Sequence, residues 1–277
     1  MLDVLQYRYS TYDSSKPAAG ILAAIMGISL IGWIVQSVQI HFRPRRPLIL
    51  ILIANITLFI ELILRAAFST KTNNSKAAYT ALTVLLAVSI RMVMLSNFDF
   101  LTQVDKLKPW ITRAIILGSI FLGITSTVLM IPAGVLAGDP DTLNTALQLK
   151  QASSGIVLGM TVLFYPIWFA TKTIKKMTKQ AIILLIISSL SSLIVSVYLM
   201  ITSVPKPYAE SNKKEFWVYI FQITPNIIAL LTWTILHPKR TLKPAEPPTE
   251  SPTELKKGSS KEEVKTDIDD DVQILRF

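Results

Sequence analysis

Glu61 and Arg65 are the residues of this sequence best placed to do chemistry, because they put a carboxylate and a guanidinium into a run that is otherwise apolar. From Pro47 to Ser69 they are the only ionisable side chains. A run of that length crosses the roughly 30 Å hydrocarbon core of a bilayer, which needs about 20 apolar residues. Charge in that core is costly, so an ionisable residue there faces a bundle interior or a wet cavity and marks a functional site by default. The spacing also supplies a structural alternative. Residues i and i+4 share one helix face, and Glu before Arg is the favoured order, so the two can neutralise each other within one helix. Arg91 lies in a later apolar run, and Gln222 and Asn226 in the last one. Glu61, Arg65, Arg91, Gln222 and Asn226 are the candidate lining of a polar path through the membrane.

Other chemistries find little support. The chain has no Cys, which removes disulfides, thiolate ligands and cysteine nucleophiles. His41 and His237 stand far apart, each beside basic residues and with no carboxylate cluster, so no metal and no cofactor is expected. No nucleophile and base arrangement is recognisable, and no enzyme is expected. The net charge of +10 is scattered in short runs between apolar segments rather than gathered on one surface, so no nucleic-acid partner is expected either.

The elements that must position the charged residues are membrane helices. The composition, 51% hydrophobic and 17% charged, falls below the about 25% charged of a soluble domain. Apolar runs predict an all-α polytopic protein with seven spans, at about 18–40, 47–69, 77–98, 111–137, 151–170, 180–204 and 216–236. Residues 1–17 form a polar, aromatic N-terminus. Residues 238–277, rich in Pro, Glu, Lys, Ser and Asp, read as a disordered tail with a possible cytosolic partner.

Several positions within the spans are informative. Ala19, Ala23 and Gly27 make a small-residue face for close helix contact, and Gly155 and Gly159 form a Gly-xxx-Gly packing motif. Such faces serve intramolecular packing or dimerisation equally, and the oligomeric state stays open. Ser188, Ser192 and Ser196 recur at four-residue spacing, so one serine face is expected to meet a neighbouring helix. Pro132, Pro166 and Pro225 are candidate hinges, because neighbours can re-satisfy the backbone groups that Pro frees.

Lys and Arg concentrate in the loops at 41–46, 106–113 and 172–179 and just after 238. The positive-inside rule then places the N-terminus outside and the tail in the cytosol. Asn73 becomes a lumenal or extracellular glycosylation sequon. Opposite chain directions put Glu61 and Arg91 at depths about 12 Å apart, given the helical rise and a roughly 30 Å core. Arg91 is therefore expected to snorkel, to reach Asp99 or to face a polar cavity, rather than to meet Glu61.

These features resemble the fungal lipid-translocating exporter family, seven-span proteins of the aminocholesterol-resistance type. Tyr9 and Tyr12 precede the first span, Arg65 sits late in the second, and Ala87-Val-Ser-Ile-Arg-Met92 is similar to the family's small-residue motif in the third. Glu215-Phe-Trp-Val-Tyr219 opens the last span and His237-Pro238 ends it. The chain departs from the family in placing Glu61 four residues before Arg65 and in carrying Arg91 where the family has a tyrosine.

The resemblance implies a divergent member that transports or flips an amphiphilic lipid, a sphingoid base or sterol-like compound, in lipid homeostasis and stress resistance. Membrane lipids and that substrate are the expected partners, and a plasma membrane or endomembrane the location. The competing expectation, from span count and orientation, is a seven-span receptor or sensor signalling through its cytosolic loops and tail.

Overall fold

A computed structural model describes residues 15–41, 44–67, 76–104, 108–137, 141–171, 173, 177–205, 207 and 215–241. Among them there are helices and no strands. Seven are long and apolar enough to cross a membrane: α1 (Lys16–Gln39), α2 (Arg45–Ala67), α3 (Lys76–Val104), α4 (Pro109–Leu136), α5 (Leu143–Ala170), α6 (Lys179–Ile201) and α7 (Glu215–Ile235). A short α8 (Pro238–Thr241) follows. Asn73, the N-terminal residues 1–14 and the tail beyond 241 lie outside the described residues.

The distribution of side chains is that of a protein solvated by lipid. Ile21, Ile28 and Ile31 of α1 and Leu117, Phe121 and Ile124 of α4 point outward, whereas Ser37, Asn55, Ser89, Ser126, Ser153 and Ser196 are fully buried or nearly so. A backbone in hydrocarbon must satisfy its own hydrogen bonds, which helices do, and polar side chains then find partners only between helices. The chain is an integral membrane protein built as a seven-helix bundle.

Consecutive helices pack side by side, α7 closes back onto α1, and α3 lies at the centre against α2, α4, α5, α6 and α7. Polar contacts fasten the closure of α1 on α7. Ser29 Oγ lies 3.0 Å from Thr234 Oγ1, Gln36 Nε2 donates to Thr234 O at 3.2 Å, and Ser37 Oγ lies 3.3 Å from His237 Nε2. The Trp33 ring packs 4.6 Å from that of His237. On the other flank of α1, a Cβ at Gly27 would meet Phe59 of α2 at 3.2 Å, so α2 approaches closely at Gly27, and Ala19 and Ala23 of the same small-residue face are buried.

Two sequence expectations are corrected. The fifth span starts at Leu143, not near Gln151, because Ala146 and Leu147 turn one face of this polar stretch into the bundle. The third continues past Phe98 to Val104, carrying Asp99 inside the helix, where Gln103 Nε2 donates to its carboxylate at 2.8 Å and Phe100 and Leu101 are buried. Of the two uses open to Gly155 and Gly159, packing within the chain or dimerisation, the described residues supply no close neighbour for the first: a Cβ at either would meet nothing within 4 Å.

The prolines differ in effect. Pro132 and Pro166 sit inside uninterrupted helices. Pro225 follows a π-helical turn, Tyr219–Ile223, inside α7. Proline has no N–H to offer the carbonyl four residues back and its ring crowds that carbonyl. The turn before it is wider, and Thr224 N–H bonds back to Tyr219 O. Of the three candidate hinges, Pro225 alone coincides with a change of helix type among the described residues.

Candidate functional site

Late in α2, Arg65 Nε and Nη2 both donate to Glu61 Oε1, at 2.8 and 2.6 Å. The intrahelical spacing makes this pair, but α7 completes it. Arg65 Nη1 lies 3.6 Å from Glu215 Oε1, and its guanidinium carbon 5.9 Å from the centre of the Tyr219 ring. The other Glu215 oxygen accepts the backbone N–H of Ser15, just before α1, at 2.7 Å. One guanidinium and two carboxylates therefore tie together the end of α2 and the starts of α1 and α7. Sequence reasoning missed Glu215 as a partner. The signal was there: among the described spans, it is the one acidic residue in a first turn.

Glu61 is fully buried, and its Oε2 has no hydrogen-bond partner among the described residues. Deeper between α2, α3 and α7, Asn226 Nδ2 donates to Ser89 Oγ at 2.9 Å, and Ser89 Oγ donates to Ala54 O at 3.0 Å. The neighbouring Asn55 bonds back to Ile51 O at 2.9 Å. The Oδ1 atoms of Asn55 and Asn226 are buried acceptors without a hydrogen-bond partner among the described residues. Further along, Ser188 Oγ of α6 donates to Asn97 Oδ1 at 2.8 Å and accepts the Trp233 indole N–H at 3.1 Å. A buried polar seam thus runs among α2, α3, α6 and α7, with three open acceptors on α2 and α7.

The structure does not bring all five candidate path residues together. Glu61, Arg65 and Asn226 belong to the seam. Gln222 is half-buried on the π turn and takes no part in these bonds. Arg91 faces a different interface, that of α3 with α4 and α5, where it is buried and bonded to Ser126, Ser153 and Ala87 O. It neither snorkels nor reaches Asp99, because two serines on facing helices supply acceptors at its own depth. Within the serine face, Ser188 and Ser196 bond to other helices, the latter 3.0 Å from Thr161 Oγ1. Ser192 turns back to Ser188 O of its own helix at 2.9 Å.

On the opposite side of the first turns of α7, an apolar groove of about 510 Å³ opens between α6 and α7. Ile194, Val197, Tyr198, Trp217 and Phe221 contribute to its walls. Phe221 stacks between Tyr198 (5.8 Å between ring centres) and Trp217 (5.6 Å). The start of α7 thus carries ionic contacts on one face and an aromatic stack on the other. Among the described residues, no three His, Asp or Glu side chains gather as metal ligands. No protein family, characterised protein or solved structure matches the chain, and what places it is its architecture: a seven-helix integral membrane protein with a buried polar seam.

Proposed function

We propose that the protein binds and moves an amphiphilic lipid whose headgroup carries hydrogen-bond donors, a long-chain amine or a hydroxylated, sterol-like compound. The observation that carries this reading is the set of open acceptors, Glu61 Oε2, Asn55 Oδ1 and Asn226 Oδ1, all on buried side chains of α2 and α7. A buried acceptor without a donor costs about 1–3 kcal/mol, more when it is charged. A headgroup bearing ammonium or hydroxyl hydrogens recovers that energy, whereas an acceptor-only headgroup does not. On the opposite face of α7, the groove has the size of a small-molecule site and apolar, aromatic walls, a separate surface against which a hydrocarbon chain can lie. The resemblance to lipid-translocating exporters points the same way, and the basic loops orient the Glu61 end of the seam towards the outer or lumenal leaflet.

The test is the tolerance of cells lacking the protein to phytosphingosine and to cationic sterols. Hypersensitivity is expected, restored by the wild-type chain and not by Glu61→Gln, with both chains shown to reach the membrane. Unchanged tolerance in the deletion strain overturns the reading and favours the receptor or sensor.

A further inference from the structure

Asn97 of α3 is buried with only half of its amide engaged. It is 3% exposed, and its Oδ1 accepts the Ser188 hydroxyl at 2.8 Å. Ser188 Oγ in turn receives the Trp233 indole N–H at 3.1 Å, so its single proton is the one shared with Asn97, and the oxygen end of the amide faces it. The two Nδ2 hydrogens at the other end meet no acceptor among the described residues. Buried polar groups are as a rule hydrogen-bonded, and these two donors call for a partner.

A small cavity between α3, α5 and α6 adjoins this amide. Asn97 and Met94 of α3, Phe164 of α5, and Ser189 and Ser192 of α6 contribute to its walls. Its volume is about 10 Å³, room for one water molecule. The two serines face it as acceptors. Ser192 Oγ gives its one proton to Ser188 O at 2.9 Å, and Ser189 Oγ gives its own to Ile186 O at 3.2 Å. Each hydroxyl oxygen has two acceptor lone pairs. The Tyr165 hydroxyl uses one of those on Ser189, at 3.3 Å, and leaves the other. Amide hydrogens repel a cation and serine lone pairs repel an anion, so the set fits a neutral molecule that both accepts and donates. One donor and two acceptors match the about three hydrogen bonds that a buried water makes.

We infer that this cavity binds a single water molecule, which accepts from Asn97 Nδ2 and donates to Ser189 Oγ and Ser192 Oγ. The water bridges α3 to α6 and, through Ser189 and Tyr165, reaches α5. It also continues a chain of hydrogen bonds that runs in one direction, from Trp233 to Ser188, from Ser188 to Asn97, from Asn97 to the water and from the water to the serines. The buried seam thereby extends from α7 across the bundle to α5. The test is radiolytic hydroxyl-radical labelling of the purified full chain in detergent, in heavy-oxygen water, with the sites read by mass spectrometry. Radicals formed from a bound water oxidise the side chains beside it, and the Met94 thioether is a wall of the cavity although only 2% exposed. Met26, wholly buried and outside this cavity, is the internal control. Met94 is expected to take up the label in preference to Met26, and Ser192→Val, which removes an acceptor and fills the space, is expected to lose that preference. Equal labelling of Met94 and Met26 in the wild type overturns the inference and needs no variant to fold. Undiminished labelling of Met94 in folded Ser192→Val overturns it as well.

Discussion

Arg65→Gln is expected to cost roughly 3–5 kcal/mol of stability, the penalty typical of removing one partner of a buried ion pair. In the wild type both short bonds to Glu61 Oε1 come from Arg65, and Oε2 has no hydrogen-bond partner among the described residues. Removing the guanidinium leaves that carboxylate buried with its charge unopposed, and takes away the 3.6 Å contact of Glu215 as well. Glu61→Gln is the milder change, because Arg65 keeps Glu215 and the face of Tyr219. The double variant Glu61→Gln with Arg65→Gln regains most of the loss, since neither side chain then carries charge. Thermal or denaturant unfolding in detergent measures all three. A double variant as unstable as Arg65→Gln alone contradicts this account of the pair.

Trp233→Ala carries the next largest effect, about 3–5 kcal/mol, the range for deleting a fully buried aromatic side chain. The indole is wholly buried, packs edge-on against Phe100 with ring centres 5.6 Å apart, and donates to Ser188 Oγ at 3.1 Å. Its loss opens a cavity where α3, α6 and α7 meet and removes one donor from the seam. Trp233→Phe retains the ring contact and gives up only the hydrogen bond, worth about 1 kcal/mol. The order Ala well below Phe, with Phe just below wild type, is the expected result of a melting series. Equal losses for the two would mean that the hydrogen bond, and not the packing, holds α7 in place.

What the sequence made legible follows from the range of each signal. Seven spans are readable because an apolar run about 20 residues long has few other uses. The bond from Arg65 to Glu61 is readable because it stays within one helix. The bond from Arg65 to Glu215 is not, since only the closure of α7 onto α1 and α2 brings those positions together across the fold. The partners of Arg91 were hidden for the same reason: Ser126 and Ser153 look like any membrane serine until α4 and α5 face α3. Gly155 and Gly159 leave their partner open because a Gly-xxx-Gly pattern states how closely a helix can be approached and not which neighbour, in the same chain or another, is there. The start of α5 was misplaced because Asn144, Thr145, Gln148 and Lys150 make the stretch polar on average, while Ala146 and Leu147 decide its burial. Pro225 was visible as a helix breaker, but a proline specifies a missing donor and a crowded carbonyl, and a π turn is one of several ways to absorb them.

The most direct test of the proposed function is photolabelling of the purified chain in phospholipid nanodiscs with a photoactivatable long-chain amino alcohol. Saturable labelling of α2 or α7 peptides is expected, displaced by the unlabelled amine, not displaced by a fatty acid that lacks the donor headgroup, and lost in Glu61→Gln. Labelling that does not saturate, or that proceeds equally in Glu61→Gln, would contradict a donor-bearing lipid in the seam.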